Sequence, residues 1–322
     1  MPHGDAISLR LGVRLSSRMT VVFLNGRFLS DATPGQTLAD AQISAFDAGL
    51  QHGVGLFETM LGGVRGRTGD PAATGSPDGA GGTASGWVYR LEEHLERLRV
   101  SAYELGLSES LNTGALAEGV LQTVERAGLA RVRVRLTITG GDLNMLSRGP
   151  VGSGTAQAPR RQDPTVLIVA QPATEYPGAM FERGVGVVLA DPRANPLNAY
   201  EGHKTLNYWW RLRALQAAAA RGAGESIVMQ VSNHLAGGCV SNVFLVKDGE
   251  LQTPIARGEE PQGGISSPVL PGVTRAAVMQ LARGLGNECT PQMLSVPELL
   301  EADEVFLTNS SWGVLPVVSV LG

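Results

Sequence analysis

The chain has 322 residues, 43% of them apolar and 17% charged, with a formal net charge of -4. Single hydrophobic cores stop growing near ~250–300 residues, so two domains are expected. There is no basic field for a phosphate backbone, no apolar run of the ~18–20 residues a membrane helix needs, and no apolar stretch of a signal peptide, so nucleic acid and membrane are excluded as partners and the cytoplasm is the expected compartment.

Residues 1–18 read as a disordered tail or a misassigned start, with Met19 a natural first residue. From 19 to 31, MTVVFLNGRFLSD predicts two strands joined by an Asn25-Gly26 tight turn. ISAFDAGLQHGVGLFETM, 43–60, is a glycine-punctuated loop entering a strand. The low-complexity stretch 66–86 cannot bury a core and is expected to be a flexible insertion at a hairpin tip. Leu91, Leu95, Leu98, Ala102 and Leu105 then recur at helical spacing, and a second helix is expected over about Thr113–Ala127. RVRVRLTIT alternates as a strand, PTVLIVAQP is an apolar buried strand, and QPATEYPGAM is the expected linker. The expected domains are thus 19–172, small and N-terminal, and 173–322, larger and C-terminal.

In the second domain GVGVVLAD is a strand, and TLNYWWRLRALQAAAARG predicts a long helix that starts immediately after Lys204. ESIVMQ, VSNVFLVK and ELQTP read as strands of one meander, PGVTRAAVMQLARGLG as a helix with Thr274 near its first turn, and 295–320 as a short helix, a strand, a small-residue turn and a last strand. Helices and strands are mixed in two successive sets without the alternation of a doubly wound sheet, which predicts two α+β units. Cys239 and Cys289 are too few for a disulfide framework, and no Cys/His cluster has metal-ligand spacing.

The chain holds 24 arginines and only two lysines, Lys204 and Lys247. Arginine replaces lysine freely on a solvated surface but cannot form an imine or lose its proton near neutral pH, so the lysines that persist are enriched in chemically required ones. Lys247 precedes the Asp248-Gly249 turn signal and reads as a solvated turn residue, which leaves Lys204. An enzyme using pyridoxal phosphate needs an amine for the imine, an anion site for the phosphate, a partner for the ring nitrogen and a carboxylate site. Gly272-Val273-Thr274 offers backbone N–H groups and a hydroxyl at a helix start, and Ser310-Ser311 a second nest of donors, although such turns more often bind only water. Arg97, in HLERL, is by default a solvated helix-face residue.

The order of these motifs distinguishes the chain. HLERL, KTLNY, SNVFLVKDG, LPGVTR and DEVFLTNSS…PV, preceded by DAGLQHGVGLFET, resemble the fold-type IV pyridoxal-phosphate enzymes: branched-chain and D-amino-acid aminotransferases and aminodeoxychorismate lyases. The resemblance runs from about Val22 to Val318. It implies the two-domain D-amino-acid-aminotransferase-like α+β fold, pyridoxal 5'-phosphate as cofactor and a homodimer with each site near the partner subunit. It also implies that Lys204 carries the Schiff base and moves the proton, and that Arg97 pairs with the phosphate bidentately. Val273, Thr274 and Ser310 would complete the cradle. Tyr208, one helical turn after Lys204, would bond near the cofactor, and Phe57, Thr59, Ser310 and Ser311 would face the substrate.

Two positions depart from the family pattern. The glutamate that partners the ring nitrogen in relatives is replaced by Gly237, and an arginine common after the strand ending Thr139-Gly140 is replaced by Thr139. The activity expected is an aminotransferase acting on an amino acid and a 2-oxo acid. The alternatives are a lyase releasing pyruvate to leave 4-aminobenzoate, and a weakened family member.

Overall fold

The computed structural model describes residues 20–33, 35, 37–65, 85–142 and 164–321. The tail 1–18 and residues 66–84 of the expected insertion lie outside them.

The first sheet is antiparallel. Its strands are β1 (Val21–Leu24), β2 (Arg27–Leu29), β3 (Gly55–Val64), β4 (Gly86–Val88), β5 (Val132–Thr139) and β6 (Val166–Pro172), in the order β2-β1-β6-β5-β3-β4. Asn25 and Gly26 have φ of 47° and 89°, so the first hairpin closes as the Asn-Gly signal requires. After the short α1 (Ala48–His52), helices α2 (Leu91–Glu104) and α3 (Thr113–Ala127) lay Leu95, Leu98, Leu116, Val120 and Val124 on Val132, Val134, Leu136 and Ile138 of β5. Strand alternation then turns Arg133, Arg135, Thr137 and Thr139 to the opposite face.

The second sheet has eight strands: β7 (Val185–Ala194), β8 (Glu225–Gln230), β9 (Leu235–Gly238), β10 (Asn242–Lys247), β11 (Glu250–Pro254), β12 (Cys289–Gln292), β13 (Glu304–Asn309) and β14 (Gly313–Leu321). Their order is β12-β11-β10-β13-β14-β7-β8-β9. Strands β7 and β8, β14 and β7, and β11 and β12 pair in parallel, so the sheet is mixed. Four helices accompany it: α4 (Gly178–Arg183), α5 (Trp209–Ala220), α6 (Val273–Gly284) and α7 (Val296–Glu301). A second core, with Ile227, Leu235, Val243, Leu245 and Leu307, is separate from the first. The architecture is the expected α+β pair of domains.

One expectation fails locally. The helix does not begin at Thr205 but at Trp209. Lys204 lies instead on an extended segment held against β3, where Phe57 N donates to Lys204 O at 2.9 Å and Leu206 N to Gly55 O at 3.0 Å. Pairing with a strand of the first domain outweighs the helix propensity of the segment.

Candidate active site

The two domains enclose a cavity of about 420 Å³ that Lys204, Arg97, Tyr208, Val273, Thr274, Ser310, Ser311, Phe57 and Thr59 all line. Because 204–208 is not helical, Tyr208 does not reach Lys204 through a helical turn. The bend nevertheless brings Tyr208 Oη within 3.5 Å of Lys204 Nζ, and the ammonium lies 4.5 Å from the Phe57 ring centroid. Lys247 sits at the surface, bonded to Glu301 O and Asp303, in the Asp248-Gly249 hairpin where sequence placed it.

Arg97 reaches the cavity from α2, backed by a network that the sequence did not reveal. Glu58 faces the helices from β3 and is 1% exposed. Arg97 Nε donates to Glu58 Oε1 at 2.9 Å and Nη2 to Oε2 at 2.5 Å, while Nη1 donates to Pro271 O at 2.9 Å. The two-pronged face of the guanidinium is therefore spent on Glu58. Of its five N–H donors three are engaged, which leaves two for a ligand. Burial pushes the Glu58 carboxyl up, but the Arg97 charge and the His94 hydrogen bond more than offset it and hold it at about 2. His94 is buried, and burial lowers its pKa. As the neutral ring its Nδ1–H donates to Glu58 Oε2 at 2.7 Å, leaving Nε2 3.4 Å from Ser310 Oγ.

Helix α6 completes this end. Its N-cap is Gly272, with no side-chain cap, so the first-turn N–H groups of Val273 and Thr274 stay open to the cavity. A Cβ at 272 would collide with Asn242 Oδ1. The other nest is spent: the N–H groups of Ser311 and Trp312 both donate to Asn309 Oδ1, at 2.8 and 3.0 Å, so this turn offers its Ser310 hydroxyl rather than its backbone. Ser310 Oγ is 3.5 Å from Thr274 Oγ1.

The facing wall is the cavity side of β3 and β5. Arg135 stands opposite Thr59 in the ladder, its guanidinium 3.8 Å over the Phe57 ring, with Arg133 one pleat away. Burial, and then Arg133, draw Arg135 below the usual guanidinium value, so two like charges share a poorly solvated wall and an anion there is stabilised. Thr139 does not take part. Its hydroxyl donates to Asp47 Oδ2 at 2.6 Å, as does that of Thr165 at 2.7 Å, and Asp47 also caps α1. Arg135, four residues earlier on the same face, carries into the cavity a charge that Thr139 lacks.

Residues 80–320 match the family model for class IV amino-transferases. The chain belongs to that family. It is 33% identical to the branched-chain-amino-acid aminotransferase of Escherichia coli over 73% of this chain and 71% of the relative. A crystal structure of the Escherichia coli branched-chain aminotransferase superposes with a TM-score of 0.74 at 27% identity, covering 94% of this chain and 86% of that one. The 4-amino-4-deoxychorismate lyase of Pseudomonas aeruginosa superposes with a TM-score of 0.69 at 26% identity, covering 93% and 91%.

Class IV aminotransferases are enzymes whose cofactor is pyridoxal phosphate, and the cavity fits it. One lysine amine, an arginine with two free donors and an open helix N-terminus converge there, and Thr308 Oγ1 and Trp312 Nε1, both on cavity-lining residues, are buried without a protein partner. Gly237 has φ +109°, and a Cβ there would come within 2.9 Å of Ser241 O, so a glutamate cannot enter this class IV chain without strain.

Proposed function

We propose that the protein transfers an amino group between an amino acid and a 2-oxo acid. The observation that carries this is the placement of Lys204 Nζ in one cavity between an anion cradle and the cationic wall of Arg135. When bound, pyridoxal phosphate supplies an aldehyde that condenses with amines and a ring that draws electrons from the carbon bearing the amine. Arg97, the N–H groups of Val273 and Thr274, and the Ser310 hydroxyl hold the phosphate. Arg135, across the Phe57 ring, receives the substrate carboxylate and aims the Cα–H at Lys204. Lys204 Nζ would join that aldehyde and, once freed, would hold and move the substrate Cα proton. Tyr208 Oη orients Lys204 Nζ, and the Phe57 face stabilises the ammonium when the proton rests there.

We also place the protein in the cytoplasm, consistent with free Cys239 and Cys289, and as a homodimer. Phe46, Leu50 and Trp209 are strongly exposed, at 69%, 69% and 79%, on segments that meet beside Gly53 and Asn207 next to the site, and a second copy would cover them. Among the described residues no helix is long and apolar enough to cross a membrane. The test supplies purified protein with L- and D-amino acids and a 2-oxo-acid acceptor, and separately with aminodeoxychorismate. Oxo-acid formation matched by amination of the acceptor supports transfer. Pyruvate and 4-aminobenzoate from aminodeoxychorismate, with no transfer, would assign the lyase reaction instead, and no turnover with either would mark a weakened member.

A further inference from the structure

A pyridine nitrogen can meet its protein in two ways. A carboxylate accepts its proton bond and keeps it charged, whereas a donor that cannot release its own proton meets it only as a neutral acceptor. Among the described residues, the ionisable side chains lining the cavity that carry cationic or imidazole groups are Arg97, Arg133, Arg135, His203, Lys204 and Arg211, and no aspartate or glutamate lines it. Three acids lie just behind the walls, and each is committed to protein donors. Glu58 holds Arg97 and His94, Glu201 holds Arg211, and Glu225, fully buried, accepts from Ser226 N, Val240 N and Ser241 Oγ. Gly237, at the position where relatives carry glutamate, supplies no carboxylate.

A ring joined through its aldehyde carbon to Lys204, with its phosphate at the start of α6, would present its nitrogen away from Lys204, since the two ring positions are opposite one another. The wall left for it, with β3 and β5 facing the substrate, would be that of Ala236, Gly238, Cys239, Val240 and Arg211. Arg211 leaves the first turn of α5, and its guanidinium lies 4.4 Å over the Trp210 ring and 6.0 Å from the Tyr208 ring centroid. Nη2 donates to Glu201 Oε2 at 2.8 Å, which fixes the group while leaving further N–H donors free. Its charge reaches Cys239 on the same wall. Neither the arginine-rich composition nor its place on an alanine-rich helix distinguished it in the sequence.

Building on the cofactor site proposed above, we propose that Arg211 is the partner of the ring nitrogen, donating a hydrogen bond to it and keeping it unprotonated. A cation replaces the carboxylate of the family pattern, and the polarity of that contact is reversed. The ring then withdraws electrons less strongly, and the Cα proton transfer depends more on the placement of Lys204.

The test loads the apo protein with pyridoxal phosphate carrying 15N in the ring and reads the nitrogen shift by NMR, with borohydride mapping on the same sample. The expected shift is that of neutral, hydrogen-bonded pyridine at neutral pH. Fluorescence titration should show the native apo protein favouring pyridoxal phosphate over its 1-deaza analogue by about tenfold or more, the worth of a hydrogen bond to a charged donor. Arg211→Leu paired with Glu201→Gln, which leaves no unpaired acid, should lose most of that preference, and Arg211→Lys should keep part of it. A pyridinium shift with cofactor fixed on Lys204 would overturn the proposal and leave the cofactor site standing. So would equal native affinity for the two compounds, or a preference untouched by the double variant. A chain that takes up no cofactor would overturn both.

Discussion

Glu58 and Arg97 form a nearly dry ion pair behind the proposed phosphate cradle, with side chains 1% and 10% exposed, and its two members should respond differently to removal. Arg97→Ala leaves a buried carboxylate facing only His94, and breaking one side of such a pair costs about 3–5 kcal/mol. In the native protein, holding Glu58 at about 2 rather than 4.5 corresponds to about 3 kcal/mol, the same order. Because the folded value is depressed, that stability is present above about pH 4.5 and is lost as pH falls toward 2. Adding Glu58→Gln to Arg97→Ala removes the stranded charge and should restore most of the stability. It should not restore the cradle, so affinity for pyridoxal phosphate stays about 10- to 100-fold below native, the worth of a charge-assisted hydrogen bond. Urea denaturation of the apo proteins and fluorescence titration with the cofactor give the two readings. A single variant as stable as the double one would refute the coupling, and native affinity in either would move the cradle elsewhere.

Arg135→Leu should raise KM for amino and oxo acids by about 10- to 100-fold while cofactor affinity stays native, and an unchanged KM would remove it from the carboxylate site. His203 joins the domains through Ser101 Oγ at 2.9 Å and faces Glu104 and Arg257; burial, then Arg257, draw it down to about 4. The neutral ring is what the fold holds, so its contribution is complete above pH 6.5 and falls as pH drops toward 4, a slope that thermal denaturation should show flattened in His203→Gln. Gly237→Glu should destabilise by about 1–3 kcal/mol, because φ +109° strains any side chain there; a variant of native stability would show that the backbone relaxes.

The fold was largely legible because its signals are local. Leu91 through Leu105 recur at helical spacing, Asn25-Gly26 and Asp248-Gly249 take positive φ, and α3 spans Thr113–Ala127 as its pattern indicated. Lys204 stood out because a lysine-poor composition made it rare. What sequence missed depends on partners far apart in the chain. Lys204 was placed at a helix start, yet the pairing that defines it is with β3, about 150 residues earlier. Glu58 reads as an ordinary strand residue until α2 lays His94 and Arg97 over it, and nothing local shows that Asp47 claims the Thr139 hydroxyl. Residue type gave the chemistry of each group, but only the fold decided whether that chemistry faced the cavity or was spent on a neighbour.

Lys204 is proposed as the amine to which the cofactor is joined. Reducing the loaded protein with borohydride and mapping the fixed pyridoxyl group by peptide mass spectrometry tests it most directly. The modification should lie on Lys204 and be absent from Lys204→Ala, whereas a group fixed on Lys247, or imine absorbance that persists in Lys204→Ala, would contradict the account.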